Sequence, residues 1–234
     1  MALKMFAALL ANGIVRPAWH VPSFLILALT LGACENIAEL SNIQKTTDFV
    51  LFGNPDVPVT RAAIEQQPYA AIRARMGRSG RVIMILGRYD GPDLHWISAD
   101  HVAIATREGR IVESAGLPEN LKNTIFIGPD PVAAAAHRWD SPVKTRRLID
   151  IEPGANYGIT VISTIERIAV EEIQILDFRY ETVVLRESAY AAELDWSFEN
   201  YFWVDMKTGF VWKSVQHVAP SLLPLEFDIL KPAG

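Results

Sequence analysis

The chain has 234 residues, half of them hydrophobic, with 22 Lys and Arg against 27 Asp and Glu and a formal net charge of −5. That composition excludes a disordered chain and suits one globular domain with a sizeable core. The mild acidity, with basic residues scattered among acids, excludes nucleic acid as the main partner, because neutralising phosphates takes clustered Lys and Arg.

No Asp or Glu precedes Glu35, whereas Lys4 and Arg16 supply positive charge. From Val21 to Ala33 the run VPSFLILALTLGA is apolar apart from Ser23 and Thr30. It is too short to cross a bilayer, which takes about 20 residues, but it fits the apolar core of an export signal. Leu31-Gly32-Ala33-Cys34 has the form of a bacterial lipobox and contains the chain's single cysteine. Two small residues let the backbone enter the signal peptidase, and the following thiol is presented for diacylglyceryl transfer. A lone Cys has no internal disulfide partner, so the expectation is a signal peptide over 1–33 and a lipid anchor on Cys34. Two or three acyl chains of the palmitate type give a stable anchor where one gives only marginal attachment.

Beyond the anchor, Ile37, Leu40, Ile43 and Thr47 recur at helical spacing, which predicts a tether helix within 34–53. Thr60 is a candidate N-cap for a short helix from Arg61 to Gln67, ended by Pro68. From Tyr69 the texture becomes β. PYAAIRARMG alternates so that Arg73 and Arg75 share one strand face. RVIMILGRYD and DLHWIS flank the turn Asp90-Gly91-Pro92, and HVAIATREGRIVESAGL reads as a hairpin turning at Arg107-Glu108-Gly109. PDPVAAAAHRW is the best later candidate for helix or loop. The remaining strands end in the hairpin YFWVD-MKTG-FVWKSVQ. Sequential strands with short turns predict an antiparallel β-meander over 54–234, curved around a core, with a few short helices.

Catalytic signatures are missing from the motifs. There is no Gly-x-Ser-x-Gly elbow, and the histidines, among them His95, His101, His137 and His217, lack the tight spacing of a metal site. Glu171 and Glu172 are strand neighbours that point to opposite faces, so they do not form a glycosidase pair. No catalytic residue, metal or cofactor is expected. Aromatic rings that stack on sugars and Arg or Gln side chains that bond their hydroxyls make Arg73, Arg110, Trp212 and Gln216 the candidate glycan or partner contacts. Trp96 and Trp203 are expected in the core.

The stretch LHWISADHVAIATREGRIVESAGLPENL resembles the YjbF/GfcB lipoproteins in its Trp-containing strand, Thr-x-x-Gly-Arg hairpin and Gly-Leu turn, at Trp96, Thr106, Gly109, Arg110, Gly116 and Leu117. YFWVDMKTGFVWKSVQHVAP resembles that family's closing hairpin at Trp203, Gly209, Trp212, Ser214, Gln216 and Pro220, and PYAAIRARMG its first strand. The resemblance implies a β-meander curved into a half-barrel and a role in group 4 capsule and exopolysaccharide production. It supplies no catalytic residue. The function it implies is a lipid-anchored periplasmic lipoprotein that assists polysaccharide export or assembly by binding glycan or export proteins. Glu35 behind the anchor is a weak form of the inner-membrane retention signal, so the periplasmic face of the outer membrane is favoured. Two alternatives carry their own structural tests. A polysaccharide-modifying enzyme needs two acids converging in a groove, and a lipid or lipoprotein carrier needs an open apolar lumen.

Overall fold

The computed structural model describes residues 59–133, 138 and 140–234. The signal peptide, Cys34, the tether helix and most of Ala133–Trp139 lie outside the described residues. A short helix α1 (Arg61–Gln66) opens the described chain, with the Thr60 hydroxyl accepting from the Ala63 N–H at 3.3 Å, as the capping pattern predicts. Strands β1 (Ala71–Met76), β2 (Val82–Asp90), β3 (Asp93–Ser98), β4 (Ala103–Arg107) and β5 (Arg110–Ala115) follow as a meander. After a four-residue turn come β6 (Asn120–Ile127), β7 (Val143–Glu152), β8 (Asn156–Ile175) and β9 (Phe178–Ala191). A single 3₁₀ turn (Ala192–Leu194) leads to β10 (Trp196–Asp205), β11 (Val211–Gln216) and β12 (Leu225–Lys231).

Among the described residues twelve strands form one sheet in which sequence neighbours other than β5 and β6 pair antiparallel, and β12 pairs back onto β1. The ring of hydrogen bonds is interrupted only between β5 and β6. Those two edge strands are joined by the short turn at Gly116, and the Leu121 N–H donates to Ser114 Oγ at 2.9 Å across the seam. The predicted curved meander is therefore present, and its curve continues into a nearly closed barrel. Near closure leaves only the β5 and β6 edges, held against each other by the short turn, to invite pairing with other chains.

Local sequence explains the turns. Glu108 and Gly109 both have positive φ (49° and 84°), the conformation that a two-residue hairpin needs to match strand twist. At the MKTG turn the Asp205 carboxylate accepts from the Lys207 and Thr208 N–H groups at 2.9 and 2.8 Å. Inside the barrel, period-two apolar positions from facing strands fill one layer with Ile72, Trp96, Ile104, Ile151, Trp196, Phe198 and Phe227. The Trp96 Nε1–H donates to Thr106 Oγ1 at 2.8 Å, so its single polar atom is satisfied. A second layer holds Ile165, Val183, Leu185, Phe202, Val204 and Val211, capped by Val132 from the β6–β7 connection.

A third cluster lies on the outside. Strand β8 runs for twenty residues, and a register shift between Arg167 and Ala169 rephases its far half. The far end of the β8–β9 hairpin then packs Ile175 against Ala71, Leu230 and Ile64 of α1. Arg61 pins the arrangement, donating from Nη1 to the Leu230 carbonyl at 3.1 Å with its guanidinium 4.3 Å from the Phe178 ring centre.

Candidate functional site: a basic cleft outside a filled barrel

The interior contains a charge network that the strands build from inward-facing polar positions. Glu187 on β9 is fully buried and accepts four hydrogen bonds. Arg110 Nη1 and Asn200 Nδ2 donate to Oε2 at 2.7 and 2.8 Å, and Arg147 Nη1 and Ser163 Oγ donate to Oε1 at 2.5 and 2.8 Å. Arg110 also forms a fork with Asp130, at 2.6 and 3.1 Å, and lies over the Phe202 ring at 5.0 Å. Two guanidinium and two carboxylate groups thus balance and bond one another inside the barrel, as buried charge requires.

Burial alone would raise the Glu187 pKa, but Arg110 and Arg147 outweigh it and hold the carboxyl well below the usual range. Burial opposes the charge of Arg110, yet Asp130 and Glu187 more than offset it and raise its pKa. Arg147 has only Glu187 as a close carboxylate, so burial and the repulsion of Arg110 leave its pKa lowered. The network ties β5 across the lumen to β7–β10.

Gln216 performs a similar task. Its Oε1 accepts from the Ile111 N–H at 3.0 Å, and its Nε2 donates to the Gly109 carbonyl and Ser214 Oγ, each at 2.8 Å. Arg110 and Gln216 are each only 2% exposed, which corrects their selection as glycan contacts. Polar inward positions were indistinguishable by residue type from polar binding positions. Among the described residues the barrel interior is filled by these side chains, which counts against the lipid-carrier alternative.

Trp212 is half-buried at the β10–β11 bulge, stacked on Tyr180 at 3.9 Å, and its Nε1–H donates to Asp205 Oδ2 at 3.1 Å. It closes the outer cluster and is no open sugar platform. Trp203, expected in the core, instead lies on the outer face. Its Nε1–H donates to Glu171 Oε2 at 2.8 Å, and Lys213 Nζ sits 4.8 Å from its ring centre. The rephasing of β11 past the bulge makes this pairing of Trp203 with Lys213 possible.

Arg73 alone of the four candidates faces an open cleft. As alternation predicts, Arg73 and Arg75 project together from the outer face of β1. Register places Arg73 opposite Asp228 and Arg75 opposite Glu226 on β12. Arg73 grips Asp228 through Nε at 3.2 Å and Nη2 at 2.7 Å, and Arg75 places Nε and Nη2 on Glu226 Oε2 at 2.9 and 2.6 Å. Lys213 Nζ and Arg81 Nη2 approach Glu226 Oε1 at 3.3 and 3.7 Å. Burial favours the neutral acid at Glu226, but Arg75 and Lys213 overcome it and lower the pKa. The end of the β8 strand, Ile173 to Ile175, forms the opposite wall and encloses a volume of about 280 Å³. No alternation pattern showed that the β8–β9 hairpin would fold back over these arginines.

Residues 44–230 match the model of a family described as "Group 4 capsule polysaccharide lipoprotein gfcB, YjbF". The chain belongs to the YjbF family. It is 28% identical over 208 residues to "Uncharacterized lipoprotein GfcB" of Escherichia coli (strain K12), covering 89% of this chain and 96% of that protein. Identity to "Uncharacterized lipoprotein YjbF" of the same organism is 23% over 213 residues, or 91% and 98% of the two chains. The crystal structure of the hypothetical lipoprotein YmcC from Escherichia coli (K12) superimposes with a TM-score of 0.67 at 26% identity, covering 75% of this chain and 90% of that one. The resemblance in the Trp-strand and closing hairpin thus extends to a family-wide match, and the protein is a capsule-related member of a lipoprotein family.

Proposed function

We propose that this protein is a lipid-anchored periplasmic lipoprotein that assists export or assembly of capsular or extracellular polysaccharide, and that it acts by binding rather than catalysis. The family match over residues 44–230 carries the reading. Processing before Cys34 and acylation of its thiol would tether the β domain at the periplasmic face of the outer membrane, with Glu35 the feature that favours the inner membrane instead. The basic cleft at Arg73 is the surface at which glycan binds. Its two carboxylates are tied to Arg73 and Arg75, and Glu226 is held ionised, so it has no proton to give as a general acid. That favours binding over the polysaccharide-modifying alternative. The second reading, docking of an export protein, would use the same outer face.

Deleting the gene and measuring secreted and cell-bound polysaccharide tests the role; unchanged amount and composition would refute it. Cys34→Ser protein is expected to leave the membrane fraction, and the wild type to co-sediment with outer-membrane markers. Retention of the Ser variant on membranes would overturn the anchor.

A further inference from the structure

One buried hydroxyl stands beside the interior charge network without belonging to it. Thr124 on β6 is 6% exposed, and among the described residues its Oγ1 meets no hydrogen-bond partner. Such a group is costly to desolvate, so a native interior supplies it with a partner. Arg147, also 6% exposed, lies next to it. Register puts Phe126 opposite Arg147 and Thr124 opposite Ile149, so Thr124 and Arg147 are diagonal neighbours on the inner face of β6 and β7. The bonds from Arg147 to Glu187 and Ser163 leave from Nη1, and its Nε and Nη2 stay outside them. Arg110, in contrast, commits Nε, Nη1 and Nη2 to Asp130 and Glu187.

Thr124 and Arg147 line one small cavity together with Asn200 and Gln216. The cavity leaves about 10 Å³ for the centre of a water molecule to occupy. A single buried water needs roughly 10–15 Å³ measured in that way. Asn200 Oδ1 accepts from the His217 N–H and Gln216 Oε1 from the Ile111 N–H, so each amide oxygen keeps a second lone pair.

We propose that this cavity is a binding site for one structural water, which bridges Thr124 on β6, Arg147 on β7 and an amide side chain from β10 or β11. The water accepts from an Arg147 N–H and from the Thr124 hydroxyl, and it donates to the second lone pair of Asn200 or Gln216. Three bonds are the ordinary complement of an internal water. Charge and size both select water over an ion. The two guanidinium groups repel a cation, and Glu187 and Asp130 already match them, so a chloride ion, larger than water, would add an uncompensated charge. The bridge also has a consequence for the barrel. Strand β6 has only β7 as a hydrogen-bonded neighbour, because the ring of strands is interrupted between β5 and β6. A water on Thr124 gives β6 a second tie, across the lumen.

The test combines crystallography with thermal unfolding of the purified full-length protein in neutral detergent. High-resolution density should show a water peak within about 3.2 Å of both Thr124 Oγ1 and an Arg147 nitrogen. Thr124→Val keeps the shape of the side chain and removes the hydroxyl, so its crystals should lack the peak. Thr124→Ser keeps the hydroxyl and should keep the peak. The sign of the thermal shift separates the two states of the hydroxyl. If Oγ1 were unbonded, Val would be the better residue and the melting temperature would rise. If Oγ1 holds the water, Thr124→Val also takes an acceptor from Arg147, and the melting temperature should fall by about 2–4 °C. The absence of a peak between well-ordered Thr124 and Arg147 side chains overturns the proposal. So does a melting temperature that holds or rises in Thr124→Val. Density that scatters more strongly than water overturns it as well, because the site would then hold an ion.

Discussion

The most consequential stability prediction concerns Glu187→Gln. The substitution preserves shape but removes the charge that compensates Arg147 entirely and Arg110 in part. It also turns an amide N–H toward donors, since both carboxylate oxygens accept from two partners each. Removing one member of a buried ion network costs about 3–5 kcal/mol, because the remaining charge stays desolvated. Total domain stability is about 5–15 kcal/mol, so the loss is a large fraction of the whole. At about 2–4 °C per kcal/mol for a domain of this size, the melting temperature should fall by roughly 6–20 °C. Urea unfolding followed by both tryptophan fluorescence and circular dichroism gives the free energy, and coincident transitions establish two-state behaviour. Glu172→Gln is the control: its pair with Arg179 is exposed at both ends, at 54% and 68%, and should contribute less than about 1 kcal/mol. A Glu187→Gln loss as small as that control's would refute the claim that the network is desolvated.

Three further outcomes follow from the same coordinates. Folded-state pKa values of Glu187 and Glu226 are depressed by neighbouring cations, so their stabilisation is full above the unfolded carboxyl value of about 4.3 and lost as pH falls through the folded values. Urea midpoints should therefore hold steady from neutral pH down to about 5 and then decline, with a shallower acid decline in Glu187→Gln. Gly109→Ala should destabilise by about 2 kcal/mol or more, since φ is +84° and the new Cβ would lie 2.3 Å from Val211 Cβ; an unchanged thermal midpoint would refute this. Trp96→Phe strands the buried Thr106 hydroxyl and should cost about 1–3 kcal/mol, of which Thr106→Val in the same chain should restore part.

The strands and turns were legible because each is a local matter. Alternation set the outward pair Arg73 and Arg75, Thr60 marked the start of α1, and Glu108-Gly109 marked the hairpin. The inward charge network had a local signal as well. Asn200 sits between Phe198 and Phe202 at strand period, and Glu187 between Leu185 and Ala189, so each polar residue occupies an apolar lattice position. That signal identifies an interior polar group but not its partner, because Arg110 and Glu187 are 77 residues apart and meet only when the barrel closes. Trp203 shows the converse failure. A large aromatic suggests burial, but β10 alternates without a break, so Trp203 between the inward Phe202 and Val204 faces out.

The two arginine groups differ in how far the fold encloses their charges. Arg110 and Arg147 meet an equal number of carboxylates, with Ser163, Asn200 and Asp130 joining the bonds, so the interior charges hold the fold. Gln216 fastens the β4–β5 hairpin to β11 through backbone groups. Outside, Arg73, Arg75, Arg81 and Lys213 gather around Glu226 and Asp228 and remain partly exposed. Those anions orient the cations in the register that pairs β1 with β12. An outer cleft whose side chains are fixed by the sheet needs little reordering to receive a ligand, and that lowers the entropic cost of binding. Its second wall depends on the long β8–β9 hairpin, held by Arg61, Ile64 and the stacked Tyr180–Trp212 pair. The half-buried Trp212 thus serves the cleft indirectly, by keeping that wall in place beside Arg73.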